Sequence, residues 1–337
     1  MPLPRSNSLL SVLVPLAAAA FCDAPATAAT LLYYDPLDEG GGTTTVNLGS
    51  NGAAENGTLQ GNATLVASGK IGGSLKLDGS AGTYVSLGHS PLSGSTARTV
   101  SIWVQTTTTS LNTAMSFGTN TGLGVKWDMD VDGVATQGNG VAELGVGGAR
   151  TTGSGTKVND GQWHLITMTL PSGSNNLNQT NIYVDGVFQY TGNTAMTIAT
   201  TGGASSVFYL GSSANSAGFQ AFNGSLDDAA VWSTDLGASR IMALFELGNV
   251  AGIGAGGADA LFTSFDGSQS AVTTGGLTWT YQASGIGGNT GDVLSLGNGN
   301  YSLNLGNGAG FLAIPEPSSM ALGFAGLLIC GTRFRRK

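Results

Sequence analysis

The sequence predicts an all-β protein whose main body is an antiparallel β-sandwich. Asn-Gly or Asp-Gly occurs eleven times, and these dipeptides readily adopt the positive φ angles that close tight hairpins. Short segments alternate apolar and polar residues, which is the pattern of a strand with one buried face. The apolar spacing of an α-helix is found within the body only near residue 240. With 41% hydrophobic residues, the chain can bury a core despite its 55 glycines.

Four segments show this alternation clearly. They are residues 75–87, 100–105, 165–170 and 182–188. Asp78-Gly79 interrupts the first segment and Asp185-Gly186 interrupts the last, so we predict a hairpin at each dipeptide. Many short strands joined by turns of this kind are typical of a sandwich or jelly roll.

Several motifs occur in an order that points to one family. They are Asn56-Gly57-Thr58-Leu59, Leu75-Lys76-Leu77-Asp78-Gly79, Tyr84-Val85, Val100-Ser101-Ile102-Trp103, Asp160-Gly161-Gln162-Trp163-His164, Ile182-Tyr183-Val184-Asp185-Gly186, and the closing run from Phe222 to Trp232. In this order the chain resembles the laminin-G-like, concanavalin A-like jelly-roll domains over residues 31–248. The resemblance implies a short helix after the last strand, at residues 236–247, with Ile241, Leu244 and Phe245 on one face.

Residues 249–313 form a separate segment. It begins with a glycine-rich linker, residues 252–257, and continues with strand-like runs at 261–265, 277–281 and 301–305. We predict a small C-terminal β segment between the jelly roll and the end of the chain.

The last residues, 314–337, combine three elements. Pro315-Glu316-Pro317 precedes an apolar run, residues 320–331, and a basic cluster follows at Arg333, Arg335, Arg336 and Lys337. This order resembles the PEP-CTERM sorting signal of Gram-negative bacteria. The resemblance implies an exosortase-type partner, a short hydrophobic helix held transiently in the inner membrane, and delivery to the cell surface or extracellular matrix.

An ordinary single-span anchor is the alternative for this tail. The fourteen residues from Ser318 to Gly331 reach about 21 Å as a helix, against a hydrocarbon core of about 30 Å. The short apolar run therefore favours a sorting signal.

The first 28 residues read as a secretory signal peptide. Arg5 precedes an apolar stretch, Leu9–Phe21, and Ala26-Thr27-Ala28 forms a small-residue cleavage pattern. Both cysteines, Cys22 and Cys330, lie in the two end segments. We therefore expect an exported body without disulfides, a cysteine nucleophile or a cysteine metal site.

The body is strongly acidic. Residues 29–317 carry seven cations against nineteen acids, a net charge of −12. Nucleic-acid binding requires clustered cations, so no nucleic-acid partner is expected. An acidic surface suits solubility or the binding of Ca²⁺ through oxygen ligands.

The resemblance also implies a candidate metal site. Acids at the position of Asp227 and Asp228 often contact the N-terminal strand or a structural Ca²⁺ in such folds, with facing oxygens supplied here by Asp35 or Asp38. The alternative is that these acids lie in a turn and accept hydrogen bonds from its local backbone amides. No other cofactor is predicted.

A second group of acids precedes Gly133. Asp128-Met129-Asp130-Val131-Asp132-Gly133 resembles the start of an EF-hand loop, but position twelve is Asn139 rather than an acid. A period of two explains the segment better, because it places Val125, Trp127, Met129 and Val131 in the core. Lys126, Asp128, Asp130 and Asp132 would then face water, and a surface Ca²⁺ site at Asp128 and Asp130 is the alternative.

No catalytic residues are predicted. His164 is one of two histidines, and we assign it a structural role on the edge or outer face of a strand, beside a core Trp163. Glycoside hydrolysis on this fold would require paired carboxylates. The sequence has no Glu-x-Asp-x-x-Glu run, and it has no Gly-x-Ser-x-Gly elbow or phosphate loop. Its glutamates are isolated; those considered are Glu39, Glu55, Glu143 and Glu246.

Three hypotheses of function follow. The first is a non-catalytic binding module at the cell surface, with extracellular polysaccharide or matrix components as partners. Some aromatic residues would then stack on sugars, and the candidates in loops or at edges are Tyr33, Tyr34, Tyr190, Phe208, Tyr209, Phe219 and Phe222. The second is a purely structural envelope or matrix protein, and the third is a glycoside hydrolase.

Overall fold

The structure, a computed structural model, describes residues 29–132 and 140–247 and five shorter segments: 271–274, 277–282, 293–297, 300–306 and 309–313. In chain order its elements are β1 (Leu31–Asp35), β2 (Thr44–Thr45), β3 (Gly57–Gln60), β4 (Thr64–Val66), β5 (Ser74–Asp78), β6 (Tyr84–Ser86), β7 (Arg98–Gln105), β8 (Asn112–Gly118), β9 (Lys126–Asp132), β10 (Val141–Gly145), β11 (Trp163–Leu170), β12 (Asn181–Val184), β13 (Val187–Thr191), β14 (Val207–Leu210), β15 (Asn223–Trp232), α1 (Ala238–Leu247), β16 (Ala271–Thr274), β17 (Leu277–Gln282), β18 (Val293–Gly297), β19 (Asn300–Gly306) and β20 (Ala309–Ala313). Short 3-10 helices lie at Gly52–Glu55, Leu177–Gln179 and Gly203–Ser205.

The first sheet contains eight antiparallel strands. Seven follow the order β13-β12-β11-β7-β15-β5-β4, and β1 pairs with β15. The long strand β15 pairs with β5 through its first half and with β1 through its second half. Asp227 lies opposite Trp103 and Ala230 opposite Ser101, so one extra residue is inserted between them. The result is a β-bulge at Asp228, whose φ is 46°.

The second sheet contains seven antiparallel strands in the order β10-β9-β8-β14-β6-β3-β2. The two sheets enclose one core, to which both contribute apolar residues. Within it Phe117 stacks on Trp127 at 6.3 Å between ring centroids, and Phe208 packs edge-on against Phe117 and Tyr33. The predicted all-β, antiparallel sandwich is therefore confirmed.

One predicted hairpin is confirmed and the other is wrong. Asp185 and Gly186, with φ angles of 52° and 75°, close the turn between β12 and β13. Asp78-Gly79 instead follows β5 of the first sheet and leads to β6 of the second. The same turn chemistry serves there to pass from one layer to the other, which the local sequence does not distinguish from a hairpin.

Helix α1 follows the last strand of the sandwich, as predicted. Ile241 and Leu244 are buried, and Phe245 packs against Trp103 with ring centroids 5.6 Å apart. The five C-terminal strands form a separate sheet in the order β16-β17-β20-β19-β18. The predicted strands at 277–281 and 301–305 correspond to β17 and β19, whereas the one at 261–265 lies outside the described residues.

Candidate functional site

The three acids predicted to bind calcium are all buried at the junction of β1 and β15. Asp35 and Asp227 are fully buried and Asp228 is 2% exposed. Asp35 lies opposite Ala229 in the β1–β15 pairing, immediately after the bulge at Asp228. We call Asp35, Asp227 and Asp228 the junction acids.

Hydroxyl and backbone N–H groups bind these carboxylates. Tyr34 Oη donates to Asp228 Oδ1 at 2.8 Å, and Tyr33 Oη donates to Asp35 Oδ2 at 3.2 Å. Asp227 Oδ2 accepts from the backbone N–H groups of Lys70 and Ile71 at 2.7 and 3.0 Å. Backbone amides therefore bind Asp227, but they belong to a distant loop and not to the local turn of the predicted alternative.

No cation of the described residues pairs with the junction acids, and their burial changes their proton affinity. Burial raises the pKa of Asp227 and of Asp35 to about 7. The pKa of Asp228 rises to about 8, first through burial and then through the negative charge of Asp227, with smaller contributions from Asp38 and Asp35.

Two oxygen atoms at the junction have no hydrogen-bond partner among the described residues. They are Asp227 Oδ1 and Asp228 Oδ2, both buried. Orphaned buried carboxylate oxygens fit the ligand preference of Ca²⁺. Within the described residues, however, no three Asp, Glu, His or Cys side chains are arranged to hold a metal ion. A cation here would need further oxygens from the backbone or from water.

Two acids of β9, Asp128 and Asp130, do not face water as predicted, while the side chain of Asp132 lies outside the described part of the structure. Trp127, Met129 and Val131 are in the core as expected, whereas Val125 is only half-buried. On the opposite face Asp128 and Asp130 are fully buried and Lys126 is 6% exposed. The prediction failed because loops that are distant in sequence cover this face of the second sheet.

Ion pairs hold these buried side chains. Lys126 Nζ binds Asp128 Oδ2, which also accepts a hydrogen bond from Ser213 Oγ. Arg150 Nη2 lies 3.0 Å from Asp130 Oδ2, and Arg150 Nε lies 3.9 Å from Glu143 Oε2. We call Lys126, Asp128, Asp130, Glu143 and Arg150 the charged network.

Glu143 brings a third carboxylate to this face. It lies in β10 directly opposite Asp130 in β9. Burial raises the pKa of Asp130 to about 7, Asp128 raises it further, and Arg150 opposes the shift. The sequence alone does not connect Glu143 and Arg150 with Asp130, because the pairing of β9 with β10 and the return of the chain after β10 bring them together.

Residues 211–222 form a loop over the same face. Its ends meet, since the Phe222 N–H donates to Gly211 O at 3.0 Å, and Thr113 N–H in β8 donates to Gln220 O at 2.9 Å. Thr113 Oγ1 lies 2.6 Å from Asp130 Oδ1 and 3.1 Å from Gln220 Oε1, which links the loop to the charged network. Phe219, in this loop, is 46% exposed.

An uncharged strip continues across the same sheet. The pairing runs from Asp128 in β9 to Ser116 in β8, Tyr209 in β14, Ser86 in β6 and Thr58 in β3. The rings of Tyr209 and Tyr84 pack edge-on with centroids 5.2 Å apart, and both are half-buried. Gln60 in β3 lies opposite Tyr84 in β6. We call the five accessible residues on this part of the face the uncharged strip: Thr58, Gln60, Tyr84, Ser86 and Tyr209.

The aromatic candidates separate clearly by exposure. Tyr33, Tyr34, Phe208 and Phe222 are buried. Tyr190 and Tyr209 are half-buried, and Phe219 is exposed. Tyr84 was not a candidate, because an alternating strand pattern alone does not reveal which face remains accessible.

His164 is bound at both ring nitrogens. Nδ1 lies 2.8 Å from Asp185 Oδ2, and Nε2 lies 3.1 Å from Asp160 Oδ1. The hydrogen bond with Asp185, with the nearby charges, raises the pKa of His164 above its ordinary value. The expected structural role fits these contacts. The expected burial does not, since His164 is 9% exposed while Trp163 is only half-buried.

The sorting motif and the predicted signal peptide lie outside the described residues. These include Pro315, Glu316, Pro317, Arg333, Arg335 and Arg336, and residues 1–28. In the part of the chain that the structure describes, no helix has the length and apolar character needed to cross a bilayer.

Comparison with known proteins identifies one domain. Residues 78–242 match the family model described as the concanavalin A-like lectin/glucanases superfamily (Laminin_G_3). The chain therefore contains a lectin/glucanase-like domain over these residues, within the predicted 31–248. Among curated proteins, none matches the chain.

Solved structures with detectable similarity are distant. Domain 4 of AbnA, an extracellular GH43 arabinanase from Geobacillus stearothermophilus in complex with arabinotriose, is 22% identical, with 65% of this chain and 99% of that chain covered at a TM-score of 0.49. The binding domain of Paraclostridial Mosquitocidal Protein 1 is 14% identical, with 64% and 52% covered at a TM-score of 0.46. A Trypanosoma rangeli sialidase is 14% identical. The match covers 64% of this chain and 33% of the sialidase, with a TM-score of 0.44. The chain thus spans about half or less of the last two structures.

Proposed function

We propose that this protein is exported and binds polysaccharide or another matrix component at the cell surface, without catalysing a reaction on it. The observation that carries the proposal is the outer face of the second sheet. There half-exposed aromatic rings and hydroxyl side chains lie beside a network of buried, paired charges. Aromatic rings with a few fixed polar groups are the usual composition of a small-ligand site.

The charged network supports this proposal by fixing the face. Thr113 contacts both Asp130 and Gln220, so the sheet and the 211–222 loop are joined by polar contacts. A surface built in this way loses little conformational entropy when a ligand binds. The lectin/glucanase-like domain at residues 78–242 is consistent with a glycan ligand.

A matched pair of variants tests the site. In polysaccharide pull-down and glycan-array measurements, we expect Tyr209→Ala and Phe219→Ala to reduce retention at least tenfold. Phe188→Ala is the control, since Phe188 is 50% exposed on β13 of the other sheet. Retention of no glycan and of no matrix from the producing cells would contradict the proposal.

The proposed cell-surface location rests on the two end segments of the sequence. Export by the signal peptide, transient inner-membrane anchoring and an exosortase-type partner are inferred from residues 1–28 and 314–337. Imaging the tagged protein in producing cells tests this inference. We expect surface labelling for the intact chain and intracellular retention or uncontrolled release when residues 314–337 are deleted.

A structural Ca²⁺ at the junction acids is part of the proposal. Asp227 Oδ1 and Asp228 Oδ2 would bind it, since both are buried and lack a hydrogen-bond partner. Asp35 would contribute mainly through its negative charge, because Tyr33 and the Leu37 N–H already bind its two oxygens. A chelator should then lower the melting temperature of the protein as isolated. An unchanged melting temperature would contradict the proposed Ca²⁺ site.

Glycoside hydrolysis is the second candidate, because Asp130 and Glu143 face each other across β9 and β10. Residues directly opposite have Cβ atoms about 4.5–5.5 Å apart, within reach of a two-carboxylate mechanism. The ion pairs with Arg150 and the complete burial of Asp130 favour a structural role. Release of reducing ends from β-glucans that is lost in Asp130→Asn would establish the enzyme instead.

A further inference from the structure

The charges of the outer face indicate which glycans it accepts. Lys126 and Arg150 are the cations of the charged network, and both are bound to carboxylates of the same network. Three acids accompany these two cations, so the network supplies no free positive charge to a ligand and carries one excess negative charge when Asp130 is ionised.

The accessible part of the face is uncharged. The strip offers the hydroxyls of Thr58 and Ser86, the amide of Gln60 and the phenol groups of Tyr84 and Tyr209. These groups match the hydroxyls and ring faces of a sugar. None of them provides the positive charge that a carboxylate, sulfate or phosphate would need.

The negative charge lies close enough to act on a ligand in the strip. Asp128 is paired with Lys126, so the excess negative charge belongs to Asp130 and Glu143, which share Arg150. Asp130 lies two strands from Tyr209 and two residues further along the strand, which corresponds to about 12 Å at the usual spacings. This is comparable to the Debye length at moderate ionic strength. The exported body adds to the effect with its net charge of −12.

On the basis of the proposed function, we infer that the ligand is a neutral glycan, and that polysaccharides bearing carboxylate, sulfate or phosphate groups are excluded from this face. An anionic polysaccharide would lose part of its hydration on binding, and no cationic side chain of the strip would compensate for this loss. The nearby negative charge would also repel it, since juxtaposed like charges disfavour binding. A neutral chain meets no such barrier.

The test uses pairs of polysaccharides that differ only in charge. The purified full-length protein is titrated with a neutral β-glucan, α-glucan and β-mannan, and with the carboxymethylated form of each. We expect the neutral member of at least one pair to bind at least tenfold more tightly in low salt. Its affinity should change less than twofold between 20 and 500 mM NaCl, values chosen on the order of long and short Debye lengths.

A charge added to the strip provides an independent check. Ser86→Lys places a cation opposite Tyr209, so the preference for the neutral form should fall at least threefold at low salt. Phe188→Lys, on the other sheet, should leave the preference unchanged, and thermal melts establish that both variants are folded. A wild-type preference for the carboxymethylated forms would overturn the inference and leave glycan binding intact. Binding of neither form would overturn both the inference and the proposed function.

Discussion

On the outer face of the second sheet, three buried carboxylates lie beside two cationic side chains. At the β1–β15 junction, three buried carboxylates receive only hydroxyl and backbone N–H donors in the described residues. Burying a charge is costly unless it is paired, and carboxylates without a cation respond by taking up protons or binding a metal ion. The junction should therefore depend on pH and on Ca²⁺, whereas the outer face should depend on its ion pairs and respond to pH mainly through Asp130, whose pKa burial raises to about 7.

Removing one cation should have the largest effect on the outer face. Lys126→Met leaves the fully buried Asp128 with Ser213 as its side-chain partner. Losing one member of a buried pair costs about 3–5 kcal/mol of unfolding free energy, which urea denaturation at pH 7 measures. The double variant Lys126→Met with Asp128→Leu should recover most of the loss.

The junction supplies the matched control for this prediction. Tyr34→Phe removes a single hydrogen bond from Asp228, and we expect a loss of about 1–2 kcal/mol, because the acid can remain protonated. If both variants lose the same stability, or if the double variant is no better than Lys126→Met, then the two regions do not differ in the way described.

The fold was predictable because turn dipeptides and alternation are local signals. The Asp185-Gly186 hairpin and the core residues Trp127 and Met129 follow from a few neighbouring positions. The turn at Asp78-Gly79 was mispredicted because the chain leaves one sheet for the other at that point. Local sequence contains no information about which layer the next strand joins.

The candidate sites were predictable only in part. The position of Asp227 and Asp228 beside Asp35 agreed with the expectation that their strands meet. The charged network did not, because Glu143 and Arg150 reach Asp130 through strand pairing and loop packing. A period of two assigns a side chain to a face but does not reveal that a distant loop, residues 211–222, covers that face.

A second prediction concerns the pH dependence of the junction. In metal-free protein, Asp228 has a pKa of about 8 and Asp35 and Asp227 of about 7, all above the ordinary value of 3.8. The folded state therefore binds protons more tightly than the unfolded state. The stabilisation is complete below about pH 4 and is lost as the pH rises through 7 to 8.

Asp228→Asn tests this dependence, because an amide resembles the neutral acid in shape. Between pH 5.5 and 9 we expect the metal-free wild type to lose at least about 3 kcal/mol of unfolding free energy, because the pKa of about 8 of Asp228 alone lies about 2.5 pH units above the start of this range, and the variant to lose clearly less. Saturating Ca²⁺ at pH 8.5 should restore about 2–3 kcal/mol to the wild type when present at about a hundred times its dissociation constant. Equal pH profiles for the two proteins would contradict the assignment.

The smallest predicted effect concerns His164, whose ion pairs are more exposed than the buried groups of the outer face and the junction. His164 lies between Asp160 and Asp185, and both of its nitrogens can donate to carboxylates only when the ring is protonated. Its raised pKa means that this stabilisation is present below about pH 6.5 and is lost as the pH rises through the folded-state value. Because Asp160 is 51% exposed, the contribution should be only about 0.2–1 kcal/mol. NMR titration of the imidazole should show a pKa above that of a free histidine, lowered in Asp160→Asn. High salt should weaken this interaction and leave the buried Lys126–Asp128 pair unaffected. If Asp160→Asn leaves the imidazole pKa unchanged, then Asp185 alone raises the pKa of His164.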